Sequence, residues 1–252
     1  MSALAQTRDD TPANAQNYAG DALILRLKSQ YAHLDGEDLI RAMIREFPGR
    51  LALTSSFGVE AAVLLDIVAE LDPSLPVIFL DTGVLFPETL DYRQQLVRHL
   101  GLRNVRDVRP DPDELASLDP NGALWKRSTN ACCAVRKVIP LENALGGFDA
   151  WITGRKRVHG SERSNLPAIE WDGGHIKVNP LAHWSQSRID ATFEHRGLPR
   201  HPLQSEGYTS VGCTHCTARP VNGEDQRSGR WAGQEKTECG IHKAPWYREA
   251  AE

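Results

Sequence analysis

The chain has no apolar run near the roughly 18 residues that a membrane span needs, so no membrane is expected among its partners. It has no basic surplus either. Its 29 Lys and Arg stand against 33 Asp and Glu, and a net charge of −4 excludes a general nucleic-acid binder. The opening MSALAQTRDDTPANAQNY lacks the basic-then-apolar pattern of a secretory leader, and none is expected. Cysteine is scarce, and five is an odd number. A disulfide framework is thereby excluded, and a reducing, cytoplasmic compartment fits, in which thiols serve metal or redox chemistry. A phosphate loop of the Walker type is also missing. What is present is ordinary: 40 % hydrophobic and 25 % charged residues over 252 positions suit one large soluble domain with appended segments.

Periodicity divides the chain. Residues 1–20 are polar and pattern-poor, the expectation being a loose tail. Leu23, Leu27 and Tyr31 and then Leu39, Ile40, Met43, Ile44 and Phe47 carry helical spacing. Strands are predicted within 50–57, 75–81, 104–110 and 149–154, and at the start of 175–184. Helices are predicted over 58–71, 87–101 (stopped by Gly101), 132–145 and 187–197. Strands alternating with helices imply an α/β fold, a doubly wound and mostly parallel sheet covered on both faces. Residues 21–200 form this domain. Beyond about 200 the chain turns rich in Gly, Cys and charge, and 201–252 reads as a functional tail.

Ligands of parallel sheets bind beyond the carboxyl ends of the strands. "TSSFGVE" occupies such an end, where Ser55, Ser56 and Gly58 offer hydroxyls, free backbone N–H groups and close approach before a helix N-terminus. "LDTG" adds Asp81 and Thr82 where a ribose or base edge fits. "ITGRKR" ends a later strand with Arg155, Lys156 and Arg157, either a solvated run or an anion contact.

The cysteines fall into a pattern. Cys132 and Cys133 are adjacent in "NACCAVRK", Cys213 and Cys216 form a CxxC in "GCTHC", and Cys239 lies in "ECGIH". Adjacent cysteines rarely bond to each other. A pair plus a CxxC provides four thiolates, enough for a zinc ion or an iron–sulfur cluster. Spacing favours the cluster, because a 4Fe–4S cube offers each thiolate its own iron, whereas one zinc needs both adjacent sulfurs turned onto it. His215 within the CxxC is an alternative ligand. Arg136 and Lys137 follow on the same segment and can offset cluster charge or reach an anionic ligand. Cys239 is either a lone thiol or a nucleophile carried by a mobile tail, with Lys236, His242 and Lys243 placed to lower its pKa.

From residue 50 to 243 the chain resembles the assimilatory sulfonucleotide reductases, specifically the iron–sulfur type acting on adenosine 5′-phosphosulfate. The resemblance runs through "SSFGVE", "LDTGVLFPETLDYR", "CCAVRKVIPLENAL", "AWITGRKR", "IKVNPLAHW", "GCTHCTARPVNGEDQRSGRW" and "ECGIH", in that order. Two departures stand out. Val84 occupies a place where many relatives have a basic residue, and "GRWAGQEKTECG" is shorter and poorer in tryptophan than the common "GRWWW" version.

The resemblance implies an adenine-nucleotide α-hydrolase-like fold and a 4Fe–4S cluster on Cys132, Cys133, Cys213 and Cys216. It implies thioredoxin-dependent reduction of adenosine 5′-phosphosulfate to sulfite and AMP, with Cys239 as nucleophile and an S-sulfocysteine intermediate, in sulfate assimilation and cysteine biosynthesis. Arg136, Lys137, Arg227 and Arg230 would surround the phosphosulfate, with Ser55, Ser56 and Gly58 along the nucleotide and Asp81 and Thr82 by the adenosine. Arg155, Arg157 and His242 would be further substrate contacts. The alternatives are a reductase preferring the 3′-phosphorylated nucleotide and a metal-binding redox-sensing module without catalysis. An ATP pyrophosphatase or adenylyltransferase would show an SGGxD-type loop, which "SSFGVE" is not. A homo-oligomer is compatible with the sequence but not indicated by it.

Overall fold

The protein is described by a computed structural model covering residues 13–220 and 225–242. Lys243 and residues 1–12 lie outside the described residues. Helix α1 (Ala13–Tyr31) opens inside the stretch read as a loose tail. It is followed by α2 (Gly36–Glu46), β1 (Leu51–Thr54), α3 (Ala61–Leu71), β2 (Val77–Leu80), α4 (Pro87–Leu100) and β3 (Val105–Val108). Short helices α5 (Pro112–Leu118), α6 (Leu124–Arg127) and α7 (Thr129–Cys133) come next, then a π-helical turn (Ala134–Val138) and α8 (Ile139–Leu145). The second half adds β4 (Ala150–Ile152), β5 (Ile169–Trp171), β6 (Ile176–Val178), α9 (Gln186–His195) and α10 (Pro202–Ser205).

The six strands form one sheet in the order β3-β2-β1-β4-β6-β5, parallel except for the antiparallel edge strand β5. The expected α/β, doubly wound architecture is therefore the observed one. Period-two alternation explains the two layers. Leu51, Leu53, Val77, Phe79, Ala150 and Ile152 enter the larger core with α2, α3, α4 and α9. Ala52, Ile78 and Trp151 face the other way, onto Leu141 and Leu145 of α8. Strands buried on both faces read as unbroken apolar runs, which is why they were visible in the sequence. Gly101, at φ 65°, ends α4 where a left-handed residue is needed.

Three features were not anticipated. Strand β5 was missed because three residues, IEW, carry no measurable period. The helices between 112 and 127 were missed because none of their residues is buried. The helix predicted over 132–145 is interrupted by the π-helical turn, whose extra residue shifts the phase of Arg136 and Lys137 relative to the cysteines.

The strand order reverses between β1 and β4, so a crevice opens beyond their carboxyl ends. The turn after β1 that leads to it carries Phe57, which adopts φ 47°, points into the core and packs edge-on against Phe79 with ring centroids 5.4 Å apart. A left-handed backbone at a bulky residue is costly and persists here because the ring is fully buried. Phe57→Ala should therefore lower the unfolding free energy by about 3–5 kcal/mol, read from the shift in urea midpoint.

Candidate active site

A cavity of about 220 Å³ fills the crevice. Ser55, Ser56 and Gly58 line one side, and Thr153 to Lys156, from the end of β4, line another. Ser55 Oγ accepts the Phe57 N–H at 3.2 Å, which holds the turn in shape. Gly58 is not required by close approach, since a Cβ there would meet its neighbours at ordinary contact distances. At the start of α3, Glu60 faces Lys156 at 2.8 Å and His159 at 3.0 Å, so Lys156 is occupied within the protein. Burial works against the Glu60 charge, but His159 and Lys156 outweigh it and hold the carboxyl far below its ordinary range.

Of the predicted cations, Lys137, Arg155, Lys156, Arg227 and Arg230 line this cavity, Lys156 being paired with Glu60. Arg155 is paired with Glu170, while its Nε is buried without a hydrogen-bond partner. Arg157 does not line the cavity, and its Nε donates instead to the carbonyl of Leu166 at 2.7 Å. Arg136 is also absent. It is buried, bonded to Asp119 at 2.7 Å and to the Thr82 carbonyl at 2.7 Å, and acts as a strut between the cysteine helix and β2. Asp81 and Thr82, expected beside an adenosine, do not line the cavity either. Asp81 is bonded to Arg109 and to the N–H of Gly83. The Thr82 hydroxyl lies 3.4 Å from the sulfur of Cys213. Sequence could place these residues at a strand end but not on one side of it.

Cys132, Cys133, Cys213 and Cys216 line a second, small cavity of about 10 Å³, together with Val84, Trp125, Arg136, Lys137, His215, Arg230 and Trp231. The isolated bridge Leu85↔Cys213 brings the CxxC turn to the β2 loop, and Ser128, capping α7, fixes the adjacent pair. His215 stacks on Trp125 with ring centroids 4.6 Å apart. Among the described residues, no three His, Cys, Asp or Glu side chains are grouped as a single ion would require. Val84 packs against the cluster of Cys213, Cys216, Trp231 and Cys239, so its departure from the family pattern lies on the thiol side.

Lys137 and Arg230 line both cavities. They are the wall between them. Burial opposes the charge on Lys137, but the neighbouring Cys213, Cys239 and Cys133 outweigh it and keep the ammonium above its ordinary value. Arg230 threads past Gly212, where any Cβ would collide with its guanidinium, and lies 4.7 Å from the Trp231 ring. Trp231 is buried at φ 52°.

The C-terminal tail closes over this junction. Ile241 and His242 line the larger cavity, whereas Cys239 is buried against the cysteine group. The hydrogen bond to Cys133, then Lys137 and Lys236, hold the Cys239 thiol well below its ordinary pKa despite burial, while Cys133 is pushed up. Lys236 Nζ donates to Cys133 Sγ at 3.3 Å. His242 stacks on Trp151 with centroids 5.9 Å apart, and its Nδ1 is buried without a partner. Burial and the surrounding Lys177, Arg155, Arg163 and Arg227 keep it neutral, so it does not lower the Cys239 pKa as expected. Sequence reasoning missed Arg163, Glu238 and Trp151, whose surroundings come from segments far apart in the chain.

Residues 50–219 match the phosphoadenosine phosphosulfate reductase domain, and the chain belongs to that family. It is an enzyme, an oxidoreductase acting on a sulfur group. It is 49 % identical over 217 residues to the adenosine 5′-phosphosulfate reductase of Mesorhizobium japonicum, covering 86 % of this chain and 85 % of that one. It is 37 % identical over 225 residues to the phosphoadenosine 5′-phosphosulfate reductase of Gloeobacter violaceus, covering 86 % and 92 %. Among solved structures, the phosphoadenylyl-sulfate reductase of Candida auris superposes with a TM-score of 0.65 at 28 % identity, covering 77 % of this chain and 96 % of that one.

The tail arginines depend on one tight contact. Gly229 crosses the backbone of Ala218, whose N–H donates to the Gly229 carbonyl at 2.8 Å, and a Cβ at Gly229 would collide with the Ala218 carbonyl oxygen. Gly229→Ala should cost about 1–3 kcal/mol by overpacking, read by chemical denaturation.

Proposed function

We propose that this enzyme reduces adenosine 5′-phosphosulfate to sulfite and AMP in sulfate assimilation, using a thioredoxin-like dithiol protein as donor. The observation that carries this reading is the shared wall: Lys137 and Arg230 face a nucleotide-sized crevice on one side and the thiols on the other. A phosphosulfate in the crevice would meet Lys137, Arg155, Arg227 and Arg230, and the neutral His242 offers a free ring nitrogen. The anion would lie beyond the ends of β1 and β4, where oriented cations stabilise charge developing on the leaving phosphate.

Cys239 then acts as nucleophile. Its thiolate sulfur attacks the sulfate sulfur, the bond from that sulfur to the bridging phosphate oxygen breaks, and AMP departs with the electron pair. The product is an S-sulfocysteine. A thiolate of the dithiol partner attacks the Cys239 sulfur, sulfite leaves with the S–S bonding pair, and the partner's second thiol releases Cys239 by exchange. The dithiol supplies both electrons. The Cys239 side chain lines neither cavity as it stands and must turn from Cys133 toward the crevice to react.

We further propose that Cys132, Cys133, Cys213 and Cys216 hold a 4Fe–4S cluster. The donor set fits: four thiols share one cavity without converging on a single point, and Lys137, Arg136, Arg230 and Lys236 offset thiolate charge there. When bound, the cluster would supply fixed charge and an anchor for the segment carrying Lys137, with no electron required of it. A cytoplasmic location agrees with the thiol content.

The decisive measurement is intact-mass analysis of anaerobically prepared protein mixed with adenosine 5′-phosphosulfate without reductant, with the 3′-phosphorylated analogue in parallel. A sulfo adduct mapped to Cys239 and released as sulfite by thioredoxin is expected, and the faster analogue identifies the substrate. Cys239→Ser should lower turnover by at least about 10³-fold. Cys133→Ser should lose iron, acid-labile sulfide and activity together. A protein with its iron and sulfide in place that forms no adduct would overturn the covalent mechanism.

A further inference from the structure

The residue before Cys239 is held more firmly than a surface tail needs. Arg163 donates to Glu238 through Nε at 2.6 Å and through a terminal nitrogen at 2.8 Å, and both side chains are buried. Arg227 adds a contact to the same carboxylate at 3.5 Å. That carboxylate accepts the backbone N–H of Cys239 at 2.9 Å. Nearby, Thr237 Oγ1 donates to Glu162 at 2.6 Å, so the turn at Ser161–Arg163 grips the tail at two points. The turn is itself tied to the crevice. Arg163 lies 3.2 Å from His159 Nδ1, and His159 Nε2 lies 3.0 Å from Glu60 at the start of α3. A continuous polar chain thus runs from the crevice wall to the backbone of Cys239.

A buried ion pair adds little net stability over an apolar contact of the same size, because desolvation offsets most of the attraction. Its two-pronged geometry does fix orientation. The Glu238 carboxyl is held down at about 2 by Arg163 and Arg227 against the effect of burial, so the charge persists at neutral pH. The pair also stands between two cavities. His159, Arg163, Arg227 and Arg230 line both the crevice and a neighbouring cavity of about 300 Å³, and Glu238 lines only the latter.

We propose that Glu238, clamped by Arg163 and Arg227, is a positioning residue that latches the tail and sets the backbone of Cys239 beside the crevice. The proposal rests on the reading of Cys239 as nucleophile for its catalytic consequence. The latch itself is testable without that reading. Arg227 belongs to both the crevice and the latch, so an anion in the crevice and the closed tail are coupled through one side chain.

The test uses the intact, cluster-loaded protein and its Glu238→Gln and Arg163→Lys variants, each checked for native circular dichroism and visible absorbance. The first readout is the rate of Cys239 alkylation by iodoacetamide, followed by peptide mass spectrometry with and without AMP. Glu238→Gln should raise that rate about tenfold or more, since labelling follows the population of the open tail. The second is single-turnover formation of the sulfo adduct, expected to slow about 10–100-fold with KM changed less than about threefold, as loss of orientation predicts. Arg163→Lys keeps the charge but loses the two-pronged geometry, and should fall between wild type and Glu238→Gln. Should Glu238→Gln not fold, Arg163→Lys is read against wild type alone. Unchanged alkylation in a folded variant overturns the latch. An adduct missing from wild type overturns the nucleophile and leaves the alkylation comparison valid.

Discussion

A half-buried lysine beside buried thiols is the constraint around which the site is arranged. Lys137 is half-buried between the two cavities, and an ammonium drawn partly out of water is steadied by negative charge close by. Cys133, Cys213 and Cys239 reach it from three separate parts of the chain, and in the Cys133–Cys239 pair it is Cys239 that is lowered toward the thiolate. The reverse also holds, because thiolates gathered in one place need cations. Lys137, Lys236 and Arg230 are drawn in from the π-helical turn and from the C-terminal segment. This mutual dependence joins the tail to the sheet domain more firmly than its sparse apolar contacts would.

The sheet explains why this charge balance sits where a ligand can use it. Reversal of strand order between β1 and β4 leaves the crevice, and the loops beyond both strands supply backbone N–H groups and Arg155. The segment after α10 then meets the loop beyond β2 at the bridge Leu85↔Cys213 and folds back on itself at Thr217↔Arg230. The first bridge delivers the CxxC to the adjacent cysteines, and the second lays Arg230 across the wall. Under the proposed mechanism, anion recognition and thiol chemistry meet here because one lysine and one arginine serve both. Arg136 shows the limit of that arrangement, since its pairing with Asp119 leaves it structural.

Much of this could be read before folding, for identifiable reasons. Strands buried on both faces carry apolar runs, and Leu51–Thr54, Val77–Leu80 and Ala150–Ile152 lie within the predicted strands. The spacing of the cysteines, with no disulfide framework to absorb them, marked four as a set and left Cys239 apart. Motifs at strand ends identified Ser55, Ser56 and Arg155 as candidates, and all three line the crevice. Asp81, Thr82 and Arg157 satisfied the same rule and do not, nor does Arg136 from the cysteine-bearing helix. A strand end has two sides, and which side a residue serves depends on the π-helical phase and on partners such as Asp119 and Leu166.

The sequence by itself determined the class of fold, the family, and the inventory of thiols and cations, because these follow from short-range patterns of polarity and spacing. Tertiary structure alone decided which cations face which cavity, that His242 is neutral on Trp151, and that Glu238 is bound to Arg163. Those outcomes depend on burial and on contacts between segments as far apart as residues 163 and 238. Desolvation and ion pairing act over a few ångströms in space, and no local pattern along the chain encodes that distance.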